Sequence, residues 1–288
     1  MIPAAFQYVK ANSVAEALVL LQQHGEDAKL VAGGHSLLPA MKLRLSQPTV
    51  LIDIAAANDL KGIAINGNTV SIGAGETYHA IASSAVVKRS CAIVADCVGQ
   101  IGDIQVRNAG TIGGALAHAD PAADLTAVFL ALGGSVAVAS SGGTRQIAAD
   151  DMFVSMLTTA LDSGEIITTV HVPVIGAGQG ASYAKLKHPA SRYAIVGVAA
   201  MVTISGGKIS AARVAVTGAG PQAVRQSATE QALIGTDGSE AAIKAAAAQA
   251  GDDMDYLGDI HASEEYRRAM VKVYAARAIS AAVAQARG

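Results

Sequence analysis

Two glycine pairs set the terms for this chain. The apolar run Ala28-Lys29-Leu30-Val31-Ala32 reads as a β-strand and runs straight into Gly33-Gly34-His35-Ser36. The theme returns as Thr111-Ile112-Gly113-Gly114-Ala115, after Val106-Arg107-Asn108-Ala109-Gly110. Without a Cβ, glycine lets backbone N–H groups approach a phosphate, and Ser36 and Thr111 add hydroxyl donors. Either pair alone is most often an ordinary turn. Two of them in one chain point to a clasp on two phosphates, as in a dinucleotide.

Composition narrows the class. At 288 residues the chain has room for one large domain or two smaller ones, each with its own core. Only 15% of residues are charged, the net charge is −2, and Lys and Arg never cluster beyond two, which argues against a nucleic-acid-binding face. The absence of Trp and the presence of only three Phe argue against an aromatic base-stacking platform. Mean hydropathy is +0.38, yet no uninterrupted apolar run is long enough to span a bilayer. The N-terminal stretch lacks a signal peptide's charged start and long apolar middle, so the expected location is the cytoplasm. Cys91 and Cys97, the two cysteines, are expected in one helix as small buried thiols; they fall short of a four-thiolate iron–sulfur set. If the protein moves electrons, its metal centres lie on other chains.

Taken in order, Phe6–Val9 is a short strand candidate. Ser13-Val14-Ala15-Glu16 has the capping-box pattern, and Val14, Ala17, Leu18 and Leu21 follow at helical spacing until Gly25. The Ala28–Ala32 strand, a short helix or turn over Leu37–Leu45 and a buried strand over Thr49–Ile54 complete an α/β layer. Asn66-Gly67 followed by the alternating Thr69–Gly73 signals a hairpin. Val86–Gly99 reads as mostly helical, and Asp120-Pro121-Ala122-Ala123-Asp124 opens another helix. Strands over Ser135–Val138, Arg145–Ile147 and Glu165–Val172 imply a mixed or antiparallel sheet. Three glycines in Gly176–Gly180 mark the domain boundary. Beyond it, Ser182–Leu186, Ala199–Ile204 and Lys208–Thr217 are expected to pair, with helices over Ser239–Gln249 and Ser263–Arg287.

Familiar nucleotide motifs do not fit. The strand at Ala28–Ala32 is followed by Gly33-Gly34-His35-Ser36-Leu37 rather than G-x-G-x-x-G, and Gly73-Ala74-Gly75 meets Tyr78 where a third glycine belongs. No P-loop, H-E-x-x-H or G-x-S-x-G pattern occurs. His35 and Ser36 are adjacent in a tight loop and suit loop geometry better than a catalytic pair.

The two glycine motifs, together with Asp120–Asp124, resemble those of the FAD-binding medium subunit of molybdenum hydroxylases, nearest the carbon monoxide dehydrogenase type. The resemblance runs through Ile101–Asn108, Gly164–Thr168, Tyr183–Lys187 and Ala262–Arg268, and so covers nearly the whole chain. It implies an α+β (mixed α/β) protein: a two-subdomain FAD-binding domain of the vanillyl-alcohol-oxidase type over 1–176, split near residue 56, then a small α+β C-terminal domain over 177–288. By the same resemblance, Ala32, Gly33, Gly34, His35, Ser36 and Thr111, Ile112, Gly113, Gly114 hold the pyrophosphate of FAD. Ile101 and Leu161 lie against the cofactor, Asp124 binds its polar part, Lys187 sits near the flavin ring and Tyr193 stacks on it. The second motif usually ends in Asn. Here Ala115 removes an amide worth about 0.5–1.5 kcal/mol of hydrogen bonding, which His118 is placed to offset unless it serves only helix entry.

The implied function is an electron-transferring subunit with no catalytic residue and no metal of its own. A partner large subunit carries a molybdenum–pterin cofactor, and a small subunit with two [2Fe–2S] clusters passes electrons to FAD for an external acceptor. The implied assembly is a dimer of heterotrimers in the cytoplasm, brought to the inner face of the membrane through a partner. The competing readings are a self-contained flavin oxidase or reductase, which would turn over alone, and a redox-silent nucleotide-binding assembly protein.

Overall fold

The computed structural model describes residues 2–288. Its first layer is built from β1 (Gln7–Lys10), α1 (Val14–His24), β2 (Ala28–Val31), α2 (Leu37–Lys42) and β3 (Val50–Asp53). The strands order β1-β3-β2, both pairs parallel, so β3 is the central, buried strand. Helix α1 starts where the capping pattern places it, with the Ser13 hydroxyl accepting from the Glu16 amide at 3.1 Å. The Glu16 carboxylate, however, reaches one residue further back than a capping box requires, to the Asn12 amide at 2.8 Å. Gly25 closes the helix at φ 56°, a conformation glycine adopts without a steric penalty.

The second layer follows with β4 (Ile63–Asn66), β5 (Thr69–Gly73), α3 (Tyr78–Ser83), α4 (Ala85–Ser90), α5 (Ala92–Gly99), α6 (Ile104–Ala109), α7 (Ile112–His118) and α8 (Asp124–Leu132). It ends with β6 (Ser135–Ser140), β7 (Gly143–Ala148), α9 (Ala149–Met152), the small hairpin β8 (Phe153–Ser155) and β9 (Thr158–Thr159), and β10 (Ile166–Pro173). The five-stranded sheet runs β4-β5-β10-β6-β7 and is antiparallel throughout, which resolves the expectation of a mixed or antiparallel sheet. Cys91 and Cys97 do not share one helix. Cys91 breaks the segment between α4 and α5 at φ −155°, ψ 64°. Both thiols are buried and unpaired, and burial pushes the Cys91 thiol up to about 12, so neither is a nucleophile at neutral pH.

The last layer is β11 (Gln179–Lys187), β12 (Ala194–Ser205), β13 (Lys208–Thr217), β14 (Val224–Arg225), α10 (Ser227–Leu233), α11 (Glu240–Ala247) and α12 (Glu264–Arg287). The strands pair antiparallel in sequence order, and α12 lies across β11 and β12. Every residue of α8 is buried, because the helix is packed between the five-stranded sheet and β12–β13 of the last layer. That position explains why its sequence is apolar on all sides apart from Asp124 and Thr126. Thr126 and Thr217 stitch the junction: Thr217 donates to the Pro121 and Ala123 carbonyls at 2.8 and 2.9 Å.

Helix α12 approaches β11 backbone to backbone at Gly180, where an added Cβ would stand 2.0 Å from the Ala282 carbonyl oxygen. Gly180→Ala must force the helix off the sheet, and overpacking of this kind costs about 1–3 kcal/mol. Urea unfolding is expected to show that loss; an unchanged midpoint would mean that the helix does not seat on Gly180.

Candidate functional site

The two glycine motifs meet in space, but they contribute differently. An added Cβ on Gly33 would lie 2.1 Å from the Ala109 carbonyl oxygen and 2.9 Å from the Gly110 Cα. The end of β2 therefore rests directly on the residues that lead into Thr111, and only glycine permits it. Gly34 turns the chain at φ 68°, and the His35 ring bonds back to the Gly33 carbonyl at 2.7 Å, a loop-shaping role. The amides of Gly33, Gly34, His35 and Ser36 have no acceptor among the described residues, and the Ser36 hydroxyl caps nothing. Ala32 delivers the strand into this row of free donors. A row of unpaired, partly accessible amides with no side chain in the way is a cradle for an anion.

The second motif is not the open loop expected from sequence. Thr111 is the N-cap of α7, its hydroxyl accepting from the Gly114 amide at 3.2 Å. The Ile112 amide donates to the Glu76 carbonyl at 3.1 Å and that of Gly113 to Ala74 at 2.8 Å. These donors are already spent inside the chain. Gly113 is needed because a Cβ there would strike that of Ala74 at 2.5 Å; Gly114 is exposed, and a Cβ there would lie 2.8 Å from the capping Thr111 hydroxyl. Ala115 is half-buried and packs against the core. His118 lies in the last turn of α7, so its expected place at a helix entry is corrected to a helix exit.

Of the remaining expected residues, Ile101 and Tyr193 are brought to one turn, whereas Leu161 and Lys187 stand on separate segments. Ile101 sits in the α5–α6 turn, whose carbonyls at Ile101 and Gly102 both accept from Arg107 at 3.0 Å. Arg192 reaches the same Gly102 carbonyl from the β11–β12 connection at 3.3 Å, bringing Tyr193 to this turn. Tyr193 is 46% exposed, and its phenol is pushed up by burial and by the charges of Asp120 and Asp124. Lys187 is exposed at the end of β11 and pairs with no acidic group among the described residues. Leu161 follows the β8–β9 hairpin, and β9 packs beside α7. Its loop is tied down by Arg145, which holds the Ala160 carbonyl at 2.8 Å and the Glu165 carboxylate at 2.6 Å.

Asp124 reaches this region with partners that sequence reasoning missed. Its carboxylate oxygens lie 2.8 and 2.9 Å from the Lys185 ammonium, and Tyr183 donates to one of them. The Lys185 and Asp124 side chains are only 1% and 5% exposed. Asp124 is thus a braced, buried residue rather than a free anion. Burial pushes its carboxyl up, and Lys185 and then Tyr183 pull it back. Lys185 also points at the Gln100 carbonyl, 3.4 Å away, next to Ile101. The Tyr183-x-Lys185 spacing on a strand, period two, was the available signal that both side chains share a face.

A family model described as the FAD binding domain in molybdopterin dehydrogenase matches residues 4–175, and one for the CO dehydrogenase flavoprotein C-terminal domain matches residues 181–282. The carbon monoxide dehydrogenase medium chain of Hydrogenophaga pseudoflava is 38% identical, with 99% of each chain covered. Subunit alpha of the 6-hydroxypseudooxynicotine dehydrogenase complex of Paenarthrobacter nicotinovorans is also 38% identical, over 100% of this chain and 97% of that one. A solved structure of the Hydrogenophaga carbon monoxide dehydrogenase lacking the Mo-pyranopterin moiety superposes with a TM-score of 0.96 at 40% identity, covering 99% of each chain. The chain therefore belongs to the family of FAD-binding medium chains of molybdopterin dehydrogenases. It is an FAD-binding oxidoreductase subunit, and the resemblance read from its motifs is borne out.

The buried pair generates a pH prediction. In Lys185→Met, Asp124 keeps its burial and loses its counter-ion, so its folded pKa rises further above the unfolded value. The folded state then holds a proton the unfolded chain releases, and stability falls as pH rises through that window. The variant is expected to be about 3–5 kcal/mol less stable than the parent at neutral pH. The deficit should shrink on acidification, as the buried carboxyl takes up its proton, and vanish as the pH reaches the ordinary range of an unfolded aspartate. Denaturant melts across pH read it directly, with Lys185→Met/Asp124→Asn expected to lose the pH dependence.

Proposed function

We propose that this chain is the flavoprotein subunit of a molybdenum-containing dehydrogenase complex, with FAD lying across the junction of the two glycine motifs. The observation that carries this reading is the row of free amides at Gly33–Ser36, set against Ala109–Gly110 by a contact no larger residue allows. Those amides and the Ser36 hydroxyl hold the pyrophosphate, and Thr111, Ile112, Gly113 and Gly114 close the other side without obstructing it. Ile101 and Leu161, fixed by Arg107 and Arg145, flank the ring system. Tyr193 covers a face of it. Lys187 stands at its edge, where a cation favours the reduced, negatively charged form. Bound FAD supplies the chemistry that lets electrons arrive singly and leave in pairs.

We infer the division 1–176 and 177–288, with the first part split near residue 56 between the parallel and antiparallel sheets. The electron source is a small partner with [2Fe–2S] clusters, and substrate oxidation belongs to a large partner with the molybdenum–pterin cofactor. The complex is a dimer of heterotrimers in the cytoplasm. No helix among the described residues is long and apolar enough to cross a membrane, so contact with the inner face would come through a partner. Substrate choice does not reside here, since relatives at the same 38% identity serve carbon monoxide and 6-hydroxypseudooxynicotine dehydrogenases.

Two measurements test the reading. Co-expression with the neighbouring subunits and reduction by substrate should bleach the flavin absorption only in the assembled complex; substrate turnover by the isolated chain would favour a self-contained oxidase. Gly33→Ala should weaken FAD binding about tenfold or more, as the contact with Ala109 is forced apart, while the circular dichroism of the chain stays unchanged. Wild-type affinity in that variant would place the dinucleotide elsewhere.

A further inference from the structure

Three of the seven tyrosines are buried: Tyr78, Tyr183 and Tyr256, at 8%, 9% and 8% exposure. A buried tyrosine hydroxyl normally finds a partner. Tyr183 donates to Asp124, and Tyr256 donates to the Gly251 carbonyl at 3.0 Å. The Tyr78 hydroxyl has no partner among the described residues, and unlike Thr229 Oγ1 and Arg267 Nε it is not sealed from solvent, so the ring is buried while its hydroxyl is open to a ligand. Its ring is not loosely held. Tyr78 opens α3, its amide donates to the Gly110 carbonyl at 3.0 Å, and its edge packs so closely that a Cβ on Gly110 would lie 2.5 Å from Cε2. The preceding Thr77 pairs with Thr111 in an isolated antiparallel bridge. Glycine at 110 thus serves two neighbours at once, Gly33 on one side and the Tyr78 ring on the other.

Burial above all pushes the phenol above its ordinary range, so it remains a proton donor at neutral pH. A Cβ on Gly110 would also lie 3.1 Å from Tyr78 Cζ, the carbon that bears the hydroxyl, and Gly110 itself abuts Gly33, so the phenol end of the ring lies beside the junction of the two glycine motifs.

We propose that Tyr78 is a further cofactor-binding residue, its hydroxyl donating to a polar oxygen of the phosphate–ribityl segment of FAD. The inference rests on the FAD site proposed above. It differs from the roles of the glycine motifs because it needs a side chain, placed by the Gly110 slot. In the free chain the hydroxyl does nothing for the fold; with the dinucleotide present it completes a hydrogen bond that phenylalanine cannot make.

The contrast between two conservative variants tests this. The full-length wild type, Tyr78→Phe and Tyr183→Phe are compared for urea unfolding without FAD. FAD affinity is then measured by flavin fluorescence, both for the chain alone and in the complex with its partner subunits. Tyr78→Phe is expected to unfold at the wild-type midpoint or above it and to bind FAD about tenfold more weakly. Tyr183→Phe, which strands the Asp124 carboxylate, is expected to unfold at lower urea. Wild-type FAD affinity in Tyr78→Phe overturns the proposal. So does a stability loss like that of Tyr183→Phe, since the hydroxyl would then be satisfied within the fold. If the wild type itself binds no FAD, alone or in the complex, the FAD site fails first and the proposal with it, an outcome distinguished by the wild-type titration.

Discussion

The ion pair between Asp124 and Lys185 holds the site together. Neither side chain has access to solvent worth the name, so each charge depends on the other and on Tyr183 for its solvation. The pair joins the first residue of the most deeply buried helix to a strand of the C-terminal sheet. Through the Gln100 carbonyl it extends to the turn bearing Ile101. Losing either partner would leave an uncompensated charge at the junction of the two halves, which is a stronger constraint than any single apolar contact there. The hairpin that presents Lys187 and Tyr193 is the continuation of the same strand, so the pair also fixes where those residues arrive.

The two glycine motifs look alike in sequence and have divided the work. Around Gly33 the backbone donors stay free, because β2 ends and α2 has not yet begun to consume them. Around Gly113 the donors are used by Ala74, Glu76 and Thr111, and glycine is required for the close seating of α7 on the end of β5. One motif supplies hydrogen-bond donors and the other supplies proximity. Gly110, which belongs to neither pair, is where they are brought together.

Several arginines fix the site without belonging to it. Arg107 and Arg192 converge on the Gly102 carbonyl, and Arg145 gathers Ala160 and Glu165 around the Leu161 loop. A planar guanidinium with several donors suits this task, since it can bind two or three fixed carbonyls and carboxylates at once. Each holds a loop that would otherwise have little to order it.

Much of this was legible in the chain itself. Local rules place α1 between Ser13 and Gly25, the strand running into Gly33, the Ser263 start of the last helix and the glycine-rich passage before β11, because capping, alternation and glycine punctuation act over a few residues. The order and spacing of the motifs were enough to identify the family. Tertiary structure decided what depends on residues far apart in sequence. It made the second glycine motif a helix start, because Glu76 and Ala74 stand ready to take its amides. It gave Asp124 a lysine 61 positions away. It left the Tyr78 hydroxyl as the one unpartnered donor among the buried tyrosines. A sequence lists hydrogen-bonding groups, but only the folded chain determines which of them are already satisfied and which remain for a ligand.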